Sequence, residues 1–211
     1  MDQTLTRSRS LPLRNITLFI AAIVLGFGAI IWLAPAVTPY TFKGALMNPP
    51  FQAPDFTLTD QNGQPFHLAE QQRKVVLLFY GFTNCPDICP LTMGNFKQVK
   101  EALGKDASRV DFVFITVDPA RDSLAVVRQF INKFDPGFIG LTGTARQLHP
   151  VMSAYGVYYA QDTPGSSTTD LIAHSDQVYV IDPSGKLRMT YSYGVSIEDM
   201  VNDIRHLLQG K

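Results

Sequence analysis

Two cysteines four positions apart, Cys85 and Cys89, are the residues of this 211-residue sequence best suited to chemistry. They are the only cysteines in the chain, and each is followed by proline in the stretch YGFTNCPDICP. If this stretch is helical, residues at i and i+4 share one face with Cα atoms about 6 Å apart. That separation permits a disulfide, and it also lets two sulfurs bind one metal ion. The pair is therefore a structural disulfide, a redox couple or part of a metal site.

The spacing of the cysteines disfavours a purely structural disulfide, because closing a loop of three intervening residues gives little entropic stabilisation. Redox couples of the thioredoxin type usually have two intervening residues, and this pair has three. Two thiolates alone make a weak metal site, which a third nitrogen or sulfur ligand would strengthen. The redox and metal interpretations therefore both stay open, and a nearby histidine would favour the second.

His174 is the histidine placed best to reach the cysteines. It lies between a polar loop (residues 161–169) and a predicted strand (residues 177–182), at the edge of the sheet where the cysteines are also expected. The other histidines fall at the end of a hairpin pattern or within helical patterns: His67, His149 and His206. By its position alone, His174 is a candidate third ligand.

The cysteines follow a predicted buried strand and precede a predicted helix. Residues 74–80 (KVVLLFY) are an unbroken apolar run, typical of a strand covered on both faces, and residues 110–117 (VDFVFITV) repeat that pattern. Apolar residues at helical spacing follow each run. Because Pro90 disfavours helical backbone at Cys89, we expect the helix to begin after the cysteines. We also expect the helix N-terminus to lower the thiol pKa.

The rest of the pattern predicts an α/β fold. Residues 54–68 alternate in polarity around an Asn-Gly turn at Asn62, and residues 177–191 show a second hairpin pattern. Three strand–helix units lie between the hairpins, and a last helix capped by Ser196 follows them. This order predicts a mixed sheet flanked by helices on both faces. In such sheets sites form beyond the C-terminal ends of strands, where the cysteines lie.

An uncharged stretch near the N-terminus, residues 16–34 (ITLFIAAIVLGFGAIIWLA), predicts one transmembrane helix. As a helix its 19 residues reach about 28 Å, close to the roughly 30 Å hydrocarbon core of a bilayer. Three arginines precede it and no charge follows before Lys43, so the positive-inside rule keeps the N-terminus cytoplasmic and exports the rest. A cleaved signal peptide is the alternative, because Ala34-Pro35-Ala36 has the small-x-small pattern of a cleavage site.

The sequence is thus predicted to have four segments. They are a cytoplasmic N-terminus (residues 1–15), the anchor (16–34), a tether rich in Pro, Ala and Thr (35–53) and a folded domain (54–211). The composition, 45% hydrophobic and 17% charged, is that of a globular protein. The formal net charge of zero gives no indication of nucleic acid as a partner.

The segments around the candidate residues resemble the Sco/SenC family, the thioredoxin-like copper-binding assembly factors of cytochrome c oxidase. The stretch YGFTNCPDICP resembles the CxxxCP site of that family, and ITVDPARDS (residues 115–123) resembles its VDPxRD signature. Ala173-His174-Ser175, followed by VYVIDPSG, resembles its histidine segment. The resemblance extends through the exported domain, and an N-terminal anchor is also usual in the family.

The resemblance implies a thioredoxin-like fold and a copper site, for Cu(I) or Cu(II), built from Cys85, Cys89 and His174. It implies a membrane-anchored copper chaperone. The predicted single-pass anchor, and an N-terminus unlike a transit peptide, place this chaperone in a bacterial inner membrane with its domain in the periplasm. Such a chaperone would deliver copper to the binuclear centre in subunit II of cytochrome c oxidase, or keep the thiols of that centre reduced, without catalytic turnover. Other periplasmic copper chaperones and thioredoxin-like reductases are further candidate partners. A thiol–disulfide oxidoreductase and a copper or redox sensor remain as alternatives that use the same cysteines.

Three carboxylates are candidates to support the site or to dock a partner: Asp87, Asp118 and Asp170. Many family members have aspartate directly before the ligand histidine, where this chain has Ala173. Asp170 or a backbone carbonyl would then have to orient the imidazole. A solvated turn is the alternative interpretation for Asp87. For Asp118, as for the neighbouring Asp122, the alternative is a cap in the strand-to-helix turn.

Overall fold

The computed structural model describes residues 13–37, 40–157 and 177–210. The chain divides into two compact units, one that ends at Thr41 and one that starts at Phe42. In the first unit, helix α1 spans Leu13–Val37. Large apolar side chains of this helix are exposed, among them Leu18, Phe19 and Leu25.

The predicted transmembrane anchor, residues 16–34, falls within α1. Across the residues that the structure describes, no helix is both long enough and apolar enough to cross a membrane. The anchor therefore stays a prediction. Most of the predicted cytoplasmic N-terminus, residues 1–12, lies outside the described residues.

The described residues from Phe42 onward form an eight-stranded mixed sheet with four α-helices. In chain order the elements are β1 (Ala45–Gln52), β2 (Thr57–Asp60), β3 (Pro65–His67), β4 (Val75–Gly81), α2 (Ile88–Leu103), β5 (Val110–Thr116), α3 (Leu124–Asn132), β6 (Ile139–Thr142), α4 (Ala145–Ala154), β7 (Val178–Ile181), β8 (Lys186–Tyr191) and α5 (Ile197–Leu208). Two short 3-10 helices, Leu68–Gln71 and Gly104–Arg109, complete the set.

Three parallel strands lie near the centre of the sheet, whose order is β1-β8-β7-β4-β5-β6-β2-β3. Strand β4 pairs in parallel with β5, and β5 with β6, whereas the other neighbours are antiparallel. The pairing aligns Gly81 with Thr116, so β4 and β5 end side by side. Residues that follow these two strands therefore meet at one edge of the sheet. This arrangement confirms the predicted mixed sheet and both predicted hairpins.

Aromatic side chains attach helices to both faces of the sheet. On one face, Phe96 of α2 lies 5.5 Å from Phe112, and Phe130 of α3 lies 5.1 Å from Phe114, measured between ring centroids. Tyr80 of β4 points to the other face, since successive strand residues alternate. There its ring lies 5.7 Å from that of Tyr155, directly after α4.

The structure differs from the predicted tether, residues 35–53, because β1 lies inside it. Strand β1 pairs with β8, and Ala45 faces Thr190. Just before β1, the backbone N–H groups of Lys43 and Gly44 donate to the carboxylate of Asp203 in α5 at 3.0 and 3.1 Å. The folded unit therefore begins about a dozen residues before the predicted boundary.

Candidate functional site

The two cysteines come together where β4 ends and α2 begins, as the sequence predicts. Cys85 lies in the connecting loop and is half-buried, whereas Cys89 lies in the first turn of α2 and is fully buried. The backbone N–H of Cys89 donates to the Cys85 sulfur across 3.5 Å. Both side chains are thiols in this structure. One cysteine is thus partly exposed to solvent and the other is enclosed beside it.

Helix α2 begins at Ile88, earlier than the sequence predicts. The prediction rested on Pro90, which disfavours helical backbone at the residue before it. In the structure Pro90 occupies the first turn of the helix, where a backbone N–H has no intrahelical acceptor and its loss costs little. Cys89 therefore belongs to the helix, and only Cys85 belongs to the loop.

The Cys89 sulfur lies against the backbone of Gly81, the last residue of β4. An added Cβ on this glycine would be 2.7 Å from the sulfur and 3.0 Å from a ring carbon of Phe114. No side chain fits in that space. The close approach seats the thiol of Cys89 against the end of the central strand, and the sequence pattern gave no sign of it.

Burial raises the pKa of the Cys89 thiol above its ordinary value, because a buried thiolate loses hydration that a thiol does not need. A hydrogen bond with the Phe82 backbone acts in the opposite direction, while the interactions with Cys85 and Asp122 raise the pKa further. The expectation that the helix N-terminus would lower the thiol pKa is therefore wrong for Cys89. Burial is the largest of these contributions to the pKa of Cys89.

The loop that carries Cys85 is held by Asp122, which the sequence suggested as a cap of the strand-to-helix turn. One carboxylate oxygen of Asp122 accepts a hydrogen bond from the Thr83 hydroxyl at 2.5 Å. The other accepts from the Thr83 backbone N–H at 3.0 Å and from the Thr116 hydroxyl at 2.6 Å. Asp122 is almost fully buried. These bonds join the ends of β4 and β5 directly beneath the cysteine loop.

Asp118 and Asp87 occupy very different environments. Asp118 is buried at the end of β5, where Arg121 donates to one of its carboxylate oxygens and the other has no hydrogen-bond partner among the described residues. Asp87 is exposed at the N-cap of α2, and its side chain makes no capping bond. The exposure of Asp87 suits either a solvated turn or contact with a partner. The burial of Asp118 leaves it no direct contact with a partner in this conformation.

The predicted third ligand, His174, lies outside the described residues, as do Asp170 and Ala173. Within the described part of the chain, no group of three or more His, Cys, Asp or Glu side chains is arranged to hold a metal ion. The remaining histidines are engaged or exposed: the ring of His67 is bonded to Thr57, that of His206 packs on Phe42, and His149 is exposed on α4. The assignment of His174 as a ligand therefore stays a prediction.

A family model for SCO1/SenC matches residues 46–209 of the chain. This chain belongs to the SCO1/SenC family. Its curated relatives include a SCO2-like protein of Rickettsia felis, 38% identical over 133 residues, which are 63% of this chain and 65% of that protein. The SCO2-like protein RP587 of Rickettsia prowazekii is 32% identical over 200 residues, 89% of this chain and 95% of that protein. The match to the first relative thus spans slightly less than two thirds of its length.

Solved structures of SCO1/SenC proteins match the same domain. Apo Sco1 from Thermus thermophilus matches with a TM-score of 0.71 and 34% identity, over 80% of this chain and 98% of that one. ScoI from Bradyrhizobium japonicum, solved with copper bound, matches with a TM-score of 0.68 and 31% identity, over 74% of this chain and 99% of that one. These matches confirm the predicted thioredoxin-like α/β fold.

Proposed function

We propose that this SCO1/SenC protein is a copper chaperone that binds copper through Cys85, Cys89 and His174. The observation that carries the proposal is the pair of adjacent thiols at the junction of β4 and α2. Thiolates select Cu(I), and imidazole suits copper in both oxidation states. The related ScoI of Bradyrhizobium japonicum has copper bound in its structure.

The unequal burial of the two cysteines suits transfer of a metal rather than permanent storage. Cys89 is enclosed, whereas Cys85 is partly exposed. A copper ion held between them would be reachable from the side of Cys85. Two sulfurs and one nitrogen leave a coordination position open, which an acceptor protein can occupy before the donor ligands leave. Transfer then proceeds by ligand exchange without release of free copper.

We further propose that the acceptor is subunit II of cytochrome c oxidase, and that the chain supplies copper to its binuclear centre. This assignment follows from the family and from the site chemistry. Other periplasmic copper chaperones would supply the copper, and thioredoxin-like reductases would keep Cys85 and Cys89 reduced. Because the periplasm is oxidising, such reduction is needed before Cu(I) can bind two thiolates.

We propose that residues 16–34 anchor the protein in the bacterial inner membrane, with the N-terminus in the cytoplasm and the domain in the periplasm. The exposed apolar side chains of α1 and the arginines that precede residues 16–34 support this topology. A reporter enzyme fused after Lys211 tests it. Activity of a periplasm-specific reporter in the membrane fraction is expected, and a mature protein that starts near Val37 would instead show cleavage.

Copper titration of the full-length, reduced protein in detergent tests the binding site. With a Cu(I) chelator as competitor, the wild type is expected to bind one copper ion. Cys85→Ser and Cys89→Ser should each lose it, while His149→Ala, which removes an exposed imidazole on α4, should bind like the wild type. Retention of one tightly bound copper by the double cysteine variant would contradict the site.

A second candidate function, thiol–disulfide oxidoreductase, is favoured by the same unequal burial. A partly exposed Cys85 could attack a partner disulfide, and the enclosed Cys89 could resolve the mixed disulfide. In that role the protein would reduce the cysteines of the oxidase and would need no metal. A copper or redox sensor that uses the same pair also stays a prediction. His174 separates the metal function from the thiol function, because only the metal function needs a third ligand.

A further inference from the structure

Asp122 lies in the turn between β5 and α3, where an acidic residue would ordinarily cap the helix. That role is already filled, because the side chain of Ser123 accepts a hydrogen bond from the Val126 N–H at the start of α3. The carboxylate of Asp122 turns the other way and bonds to Thr83 and Thr116. The helix cap therefore does not explain why this buried position holds an acid.

The two bonds to Thr83 reach the loop between β4 and α2 two residues before Cys85. Both polar groups of Thr83, the backbone N–H and the hydroxyl, donate to Asp122. The loop is tightened further by a bond from the Cys85 N–H to the Phe82 carbonyl at 3.2 Å. With Thr83 fixed, few torsions remain between the anchored point and the Cys85 sulfur.

We propose that Asp122 is a positioning residue: through Thr83 it fixes the loop so that the Cys85 sulfur stays beside Cys89 at the start of α2. The inference deepens the proposed copper function, on which its biological meaning rests, but it concerns the geometry of the thiol pair itself. A preorganised pair binds a metal more tightly, because the cost of ordering the loop is not paid at binding.

An ionised carboxylate suits this position better than a neutral side chain does. It accepts three hydrogen bonds, one on one oxygen and two on the other, and hydrogen bonds to a charged acceptor are shorter and stronger than neutral ones. An amide in its place would direct an N–H toward donors. Asparagine at position 122 should therefore hold Thr83 less firmly than aspartate does.

Thr83→Val tests the inference, because it removes the hydroxyl bond to Asp122 and nearly keeps the shape of the side chain. The matched control is Thr142→Val. Thr142 also donates its hydroxyl to Asp122, but to the backbone carbonyl at 3.1 Å, so the carboxylate keeps its contacts with the cysteine loop. Thr83→Ser keeps the hydroxyl and should restore wild-type behaviour.

The measurement is the equilibrium between the protein and glutathione buffers without copper. The two thiols pass two electrons and two protons to glutathione disulfide, which yields two glutathione molecules and the Cys85–Cys89 disulfide. Releasing the loop between β4 and α2 lowers the effective concentration of the Cys85 thiol at Cys89. For Thr83→Val and Asp122→Asn we expect the equilibrium constant for disulfide formation to fall about tenfold, a rise of about 30 mV in potential.

Thr142→Val and Thr83→Ser should stay within about twofold of the wild type. Equal shifts for Thr83→Val and Thr142→Val would show a general loss of packing and overturn the inference, and so would a folded Thr83→Val protein with wild-type potential. Cu(I) titration of the same variants comes second. If the potentials shift as expected but the wild type binds no copper, the positioning role stands and the copper function fails.

Discussion

A methyl group on Gly81 would lie 2.7 Å from the Cys89 sulfur, closer than Cβ atoms approach other atoms in folded proteins. The end of β4 and the first turn of α2 can therefore be in contact only because residue 81 has no side chain. This contact sets the depth at which Cys89 is buried.

Gly81→Ala is accordingly expected to displace the Cys89 sulfur and to destabilise the protein by about 1–3 kcal/mol, the usual cost of overpacking a core. Urea unfolding gives the loss of stability, and the rate at which a thiol reagent modifies Cys89 reports the displacement. The control is Gly94→Ala within α2, where an added Cβ meets no atom within 4 Å. That variant should be as stable as the wild type or more so, by up to about 1 kcal/mol. A Gly81→Ala protein with unchanged stability and thiol reactivity would contradict the argument.

The central part of the fold could be predicted because its signals are local. The apolar runs of β4 and β5 are continuous, and the cysteines directly follow the first of them. Strand β1 gave no such signal. Its sequence, ALMNPPFQ, contains two consecutive prolines and does not alternate, and it is a strand only because β8 offers it an edge. Edge strands tolerate proline, since one side of the strand needs no hydrogen-bond partner.

The sequence predicted which residue types form the site, but not the contacts that position them. The spacing of Cys85 and Cys89 was sufficient to propose a site. The role of Asp122 was not visible, because its partner Thr83 is 39 positions away in the chain. The pKa of Cys89 was predicted in the wrong direction, since burial depends on the whole packed domain and a helix N-terminus is a local feature.

Asp203 is expected to stabilise the start of the folded unit. It is fully buried and accepts hydrogen bonds from the N–H groups of Lys43 and Gly44 and from the hydroxyl of Tyr191. Asp203→Asn would turn an N–H toward these donors and is expected to cost about 2–3 kcal/mol. Amide hydrogen exchange at Lys43 and Gly44 should accelerate more than exchange in β4.

The matched control for Asp203 is Asp199→Asn, on the same helix. Asp199 is only partly buried, and its carboxylate accepts a hydrogen bond from the Ser196 hydroxyl. Its replacement should cost less than about 1 kcal/mol and leave exchange at Lys43 unchanged. Equal effects of the two substitutions would show that Asp203 does not anchor the start of the folded unit.

The ion pair between Lys100 and Asp135 predicts a pH-dependent contribution to stability. Burial raises the pKa of Asp135, but the hydrogen bond from Lys100 at 2.7 Å and that from the Gly137 N–H outweigh it, so the pKa lies below its ordinary value. A carboxyl with a depressed pKa stabilises the folded state above its unfolded pKa, about 3.9. That contribution is lost as the pH falls through the folded pKa.

Asp135→Asn is therefore expected to lower the free energy of unfolding by about 0.5–1 kcal/mol at pH 7, because the pair is partly exposed. The difference from the wild type should shrink as the pH falls from 4 toward 2. Denaturant unfolding across this range measures it, with the exposed Glu101→Gln on α2 as the control. A difference that stays constant down to pH 2 would show that the effect is not due to charge.

The decisive prediction concerns His174, because a copper chaperone and a dithiol reductase share Cys85 and Cys89. Removing a third metal ligand leaves two thiolates with an unfilled position. His174→Ala should therefore weaken copper binding at least tenfold, more than about 1.4 kcal/mol. A reductase would be affected only through the reactivity of its thiols, which is a smaller effect.

We expect His174→Ala to abolish oxidase maturation in cells at limiting copper, while Cys85 and Cys89 still cycle between dithiol and disulfide. Excess copper should restore maturation, and His149→Ala should mature oxidase normally throughout. If His174→Ala cells mature oxidase normally at limiting copper, the thiol–disulfide function replaces the chaperone function.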